Sequence, residues 1–236
     1  MSATNELPQA GSGTAAFSAE ASTSSPAFEQ WRKSMAQFTG LGLSDSEQAE
    51  RQRRLELQTL EKDWDRCEGW KKELMTTSPM IVFLLKHLKM AGCEFPSSAM
   101  QCHPCDPSRA GGFSPAHGIL LCQNRVSSKK HMEDTLAHEL IHAYDHCKFK
   151  VDWMNLRHHA CTEIRAANLS GDCRWSREVQ RGHYAFSKQH QACVKRRAVL
   201  SVKDHPNCKS VEDAERAVNE VWDSCFKDTR PFDEIY

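Results

Sequence analysis

His138, Glu139 and His142 stand in the run His-Glu-Leu-Ile-His, an HExxH pattern. Residues four apart on a helix lie nearly one above the other, so two imidazoles at that spacing can bind one metal ion. Glu139 is turned from His138 by about 100 degrees, which directs its carboxylate to a water beside the metal rather than to the metal. Zinc lowers the pKa of such a water to near 7, and a glutamate placed there takes its proton as general base. The spacing therefore predicts hydrolysis at a Zn2+ site, one ion per chain, with His138 and His142 as ligands and Glu139 as the catalytic residue. Around them Thr135, Leu136, Ala137, Leu140, Ile141 and Ala143 are uncharged and Tyr144 is bulky. A helix apolar on nearly all sides except two histidines and a glutamate is expected to lie buried beneath a sheet, where further charge is costly.

A catalytic zinc takes three protein ligands and keeps one position open. Lys148 occupies the place where HExxHxxGxxH chains carry their third histidine, and Asp145 the place of their glycine. That class is excluded. Glu163, on a later helix in Cys-Thr-Glu-Ile-Arg, is the favoured third ligand of a His2Glu site. Asp145, one turn after His142, is the alternative, either as ligand or as the group that orients a histidine. His146, His158 and His159 are further imidazoles nearby, and Tyr184 or a downstream histidine is the candidate to steady the oxyanion.

These residues need a scaffold. Helix-favouring sequence over 46–74 places Leu57, Leu60, Trp64 and Cys67 on one face. Pro79 after Ser78 opens a helix reaching residue 90. Residues 93–116 read as loop, 118–123 as a strand, and 109–114 as its partner. Helices follow over 132–147, 153–169 (stopping near Gly171), 176–202 and 210–226. The plan is α+β: a helix-rich domain over 46–236 with a small sheet beside the HExxH helix. Strand 118–123 is expected at the sheet edge, where an extended polypeptide substrate would pair with its backbone. Residues 1–45, rich in Ser, Ala, Thr and Gly with no Lys or Arg before Arg32, are expected to form a disordered tail. They show neither a secretory signal nor an Arg-rich presequence.

Composition narrows the classes further. Thirty-one basic and thirty-one acidic residues cancel, which argues against direct binding of nucleic acid. The longest apolar run, 80–85, falls far short of the ~20 residues of a membrane span. Eleven cysteines spread through the sequence predict several long-range disulfides and an oxidising compartment, with at least one thiol left over. Cys102 and Cys105 form a CxxC whose two sulfurs are expected to pair elsewhere, and Lys195-Arg196-Arg197 reads as a solvated helix face.

Longer stretches carry a family resemblance. Gly112-Phe113 with Pro115, Gly118-Ile119-Leu120-Leu121-Cys122, the run Thr135 through Asp145, the run Asn155 through Arg165, Leu169-Ser170-Gly171-Asp172-Cys173 and Asp228-Thr229-Arg230-Pro231-Phe232 resemble the mitochondrial inner-membrane metallopeptidases that act as ATP synthase assembly factors. The resemblance runs from about Trp64 to the C-terminus. It implies a zincin-like zinc endopeptidase of the intermembrane space, peripheral to the inner membrane. Its polypeptide substrate would be a mitochondrially encoded membrane subunit of the ATP synthase, and it would assist assembly of the membrane sector. Two other readings stand beside it: an assembly chaperone with a structural zinc, and a protein-interaction partner in DNA repair.

Overall fold

The computed structural model describes residues 25–107, 109–184 and 188–233. The chain divides into two units between Leu55 and Glu56, and each is described by itself.

In the first unit, part of the expected disordered tail is a helix, α1 (Pro26–Thr39). Local signals make it: Ser25 accepts from the Phe28 amide, Pro26 stands in the first turn, and Gly40 ends it at φ 79°. Arg51 donates to the carbonyls of Gln37 and Phe38 at its C-terminal end. No residue of α1 is buried, so capping rather than core formation accounts for the helix. Residues 1–24 of the expected tail lie outside the described residues.

Helix α2 (Asp45–Thr77) continues into the second unit, where it buries Cys67, Lys71 and Leu74. Leu57, Leu60 and Trp64, expected on its inner face, are exposed; only the last turns of α2 reach the core. Helix α3 (Pro79–Met90) starts where Ser78 accepts from the Ile81 amide. The stretch expected as loop contains a strand, β1 (Met100–His103), which exists because it pairs in parallel with a later strand. Strands β2 (Gly111–Ser114) and β3 (Gly118–Cys122) are antiparallel, and the order is β1-β3-β2. The strand expected at the edge, β3, is thus central. Its Ile119 and Leu121 are buried, and β2 carries the edge nearer the HExxH helix. Gly118 turns into β3 at φ 82° with an ideal Cβ only 2.2 Å from the Ala99 carbonyl oxygen, so only glycine fits.

Helix α4 (Lys129–Lys148) bears the HExxH residues and starts a turn earlier than its apolar pattern, capped by Ser128. Helix α5 (Leu156–Leu169), capped by Asn155, crosses it. The single helix expected over 176–202 is two, α6 (Trp175–Gln180) and α7 (Gln189–Lys203), and the turn that follows α6 holds Gly182 at φ 83°. Helix α8 (Val211–Phe226) follows a Ser210 cap.

Two hydrophobic cores result. One gathers Ile81, Leu84, Leu88, Ile119, Leu136 and Ile141 between α3, the sheet and α4. The other gathers Ile164, Val194, Ala198 and Val218 between α5, α7 and α8. Helix α5 serves both, with Ala166 in the first and Ala160 and Ala167 in the second. Disulfides staple these layers: Cys67–Cys102, Cys93–Cys147, Cys105–Cys122, Cys161–Cys225 and Cys173–Cys193. Cys208 is the free cysteine. The basic run on α7 is not a merely solvated face: Arg196 binds the buried Glu178, Arg197 lies 2.7 Å from Asp172, and Lys195 stands over Trp222.

Candidate active site

Helix α4 is buried along most of its length, and His142 and Glu139 are 5% and 7% exposed within it. Helix α5 brings Glu163 against them. Glu163 Oε1 lies 3.3 Å from His142 Nε2, and Oε2 lies 3.6 Å from His138 Nε2. The two imidazole rings meet edge to face, with centroids 4.8 Å apart. One ligand atom from each of the three residues falls within 4.8 Å of the others.

The spacing can be tested against a metal. Ligands ~2.0–2.2 Å from a tetrahedral zinc stand roughly 3.3–3.6 Å apart, which is the separation of each imidazole nitrogen from the carboxylate. The donor set, two imidazoles and one carboxylate, is that of a catalytic rather than a structural zinc. The three residues fit the ion. Glu139 is outside this group. Its Oε1 lies 3.3 Å from where a Cβ on Gly111 would sit, so the carboxylate faces the edge strand β2.

Environment separates the two glutamates. Burial raises the Glu139 pKa to about 7, with His142 opposing and Glu163 adding to the rise. Burial also acts to raise Glu163, but the His142 and His138 imidazoles outweigh it and hold this carboxyl well below the ordinary range. One glutamate is poised to exchange a proton near neutrality, and the other stays ionised.

Asp145, the alternative ligand, is not in the group. Its carboxylate accepts from Arg165 Nε at 3.0 and 3.1 Å, and both side chains are buried. His146 is exposed and takes a hydrogen bond from Trp153, while His158 accepts from the Asp152 amide. His159 Nε2 is 3.8 Å from Glu163 Oε1, beside the group but not within it. Tyr184 is largely exposed. Sequence reasoning missed Arg165 and Trp153. For Arg165 a signal existed, a charge in the otherwise uncharged run Ile164 to Leu169; for Trp153 there was none.

Residues 65–233 match the family described as Peptidase M76. The chain belongs to the Peptidase M76 family. It is 58% identical over 188 residues to the mitochondrial inner membrane protease ATP23 of Malassezia globosa, covering 72% of this chain and 76% of that protein. It is 51% identical over 209 residues to the protein of the same name from Neosartorya fischeri, 88% of each. It is 45% identical over 237 residues to that of Debaryomyces hansenii, 100% of each. No solved structure matches it. The HExxH helix and the Glu163 helix of this M76 peptidase both lie within the matched residues, as do all three strands of its sheet.

Proposed function

We propose that this peptidase is a zinc-dependent endopeptidase of the mitochondrial intermembrane space, peripheral to the inner membrane. It processes a mitochondrially encoded membrane subunit of the ATP synthase and assists assembly of the membrane sector. The observation that carries the hydrolytic reading is the convergence of His138, His142 and Glu163 beside a buried Glu139 that is separate from them.

Zinc held by His138, His142 and Glu163 would polarise the scissile carbonyl and acidify the attacking water. Glu139 accepts the water's proton and delivers it to the leaving nitrogen, a task suited to a carboxyl with a pKa near 7. Burial of the Glu139 helix lowers the local dielectric and strengthens each charge in the site. The edge of β2 away from β3 offers backbone groups for an extended polypeptide. A zincin-like arrangement of active-site helix and edge strand accounts for these placements together.

The compartment rests on other features. Five disulfides suit an oxidising space. The relatives are named inner membrane proteases, and among the described residues no helix is long and apolar enough to cross a membrane; a peripheral association reconciles the two.

Elemental analysis of the wild type and of Glu163→Ala and Asp145→Ala, run beside peptide cleavage, tests the reading. One zinc per chain, lost chiefly in Glu163→Ala together with activity, is expected. A wild type without metal would overturn it and leave an assembly chaperone.

A further inference from the structure

The loop joining α4 to α5 sets Trp153 at the border of the His138, His142 and Glu163 group. Its ring centroid is 6.1 Å from that of His142 and 6.5 Å from that of His159. It is also 5.6 Å from Phe113 of β2. The residue is pinned at both ends: its Nε1 donates to His146 Nδ1 at 3.3 Å, and His205 Nε2 donates to its carbonyl at 2.8 Å. The His205 proton belongs on Nε2, because its Nδ1 accepts from the Asn207 amide. Trp153 is half-buried and packs into neither hydrophobic core. A tryptophan held this firmly outside the core, against a metal-binding histidine, asks for a partner.

The edge strand supplies the geometry. A Cβ on Gly111 would point at Thr135 and Glu139 of α4. Side chains two apart on a strand share a face, so Phe113 lies on the same side, and its ring is 6.0 Å from that of His146, also of α4. A polypeptide laid along the outer edge of β2 repeats this period. Where one of its residues stands beside Gly111 and Glu139, the residue two further on, about 6.8 Å away, stands beside Phe113 and Trp153.

We propose that Trp153 and Phe113 form a substrate subsite that takes a large apolar side chain, aliphatic or aromatic, two residues from the position that stands beside Glu139. Phe113 contributes from the strand, and Trp153, near both Phe113 and His142, contributes from the α4–α5 loop. Glycine at 111 keeps the strand close to the base, and the aromatic pair reads the neighbouring residue. Selectivity is then built from the α4–α5 loop and strand β2, not from α4 itself. This inference rests on the peptidase reading.

The experiment uses the full chain loaded with zinc and a set of peptides varied at single positions between large apolar, small and charged residues. In the wild type, kcat/KM is expected to favour a large apolar residue at one position by about tenfold or more. Trp153→Ala is expected to flatten that preference mainly through KM, with zinc content unchanged and preferences elsewhere intact, and Trp153→Phe to restore most of it. The same peptides are bound to Glu139→Gln and to Glu139→Gln/Trp153→Ala, which requires no turnover. Selective binding in the first and loss of selectivity in the second supports the subsite even if the wild type cleaves nothing, an outcome that would sink the peptidase reading alone. Equal selectivity with and without Trp153, in cleavage or in binding, would overturn the subsite.

Discussion

Arg165 holds Asp145 through Nε hydrogen bonds of 3.0 and 3.1 Å, and this buried pair locks α5 to α4 one turn along from the contact between Glu163 and His142. Arg165 also donates to the carbonyls of Asp228 and Arg230, so the segment after α8 is tied to the same point. The aspartate that resembles a metal ligand in the sequence is thus paired with Arg165, while Glu163, on the same helix as that arginine, stands against the histidines.

Breaking this pair from one side leaves a buried charge without its partner. Arg165→Met is expected to lower stability by about 3–5 kcal/mol and to weaken zinc retention, since Glu163 shares the helix. Urea denaturation together with metal analysis checks it. A loss under 1 kcal/mol with full zinc content would show that the register is set elsewhere.

Glu139 acts on a proton and holds no metal in the proposed mechanism. Glu139→Gln should therefore keep zinc at the wild-type level while cleavage falls about a hundred- to ten-thousand-fold. If the membrane sector of the ATP synthase still assembles in cells carrying this variant, cleavage and assembly are separable functions. Loss of zinc in Glu139→Gln would contradict the division of roles.

At Gly111 strand β2 lies close against α4. An added Cβ would lie 2.8 Å from Thr135 Cγ2 and 3.1 Å from the Leu120 carbonyl oxygen, as well as near Glu139. Gly111→Ala is expected to cost about 1–3 kcal/mol by overpacking and to lower kcat by up to about a hundredfold through displacement of the base. Gly112→Ala, whose Cβ meets nothing within 4 Å, is the control. Equal activity in the two variants would argue against a tight approach of β2 to Glu139.

Glu178 gives a pH dependence remote from the metal group. Burial acts to raise its pKa, but hydrogen bonds from Arg196 and Arg181 outweigh that and hold it below its ordinary 4.5. A carboxyl whose folded pKa is depressed stabilises the fold fully above its unfolded pKa, and this contribution disappears as pH falls through the folded value. Glu178→Gln should thus destabilise at pH 7, by about 1–3 kcal/mol, and less at pH 3. Denaturant midpoints at the two pH values measure the difference; a constant loss at both would contradict the linkage.

The disulfide pattern predicts a simple count. Unreduced, denatured protein should react with about one equivalent of thiol reagent, at Cys208. Removing the Cys93–Cys147 bridge, which fastens the chain after α3 to the C-terminal end of α4, should lower stability by about 2–4 kcal/mol. Three or more reactive thiols would mean that fewer than five bridges form.

Local chemistry was legible in the sequence. HExxH spacing is a property of one helix, so His138, Glu139 and His142 could be named without knowing the fold. Ser78-Pro79 and Ser210 marked helix starts because capping depends on a few adjacent residues. Cysteine spread and count announced disulfides and a leftover thiol, and the long matches over 112–173 made the family resemblance recognisable. Periodicity was less reliable where burial depends on what lies opposite. Leu57, Leu60 and Trp64 share a face of α2 with Cys67, yet only Cys67 reaches a neighbour that covers it.

What only the tertiary structure decided were relations between distant segments. Strand β1 exists through parallel pairing with β3, an interaction its four residues do not encode alone. That pairing moved β3 to the centre of the sheet and gave the edge beside Glu139 to β2. Glu163 stands against the histidines while Asp145 is paired with Arg165, and arginine and aspartate meet only when α5 packs on α4. Trp153 became meaningful for the same reason: spacing along the chain fixes what one helix presents, whereas the crossing of elements fixes what stands opposite it.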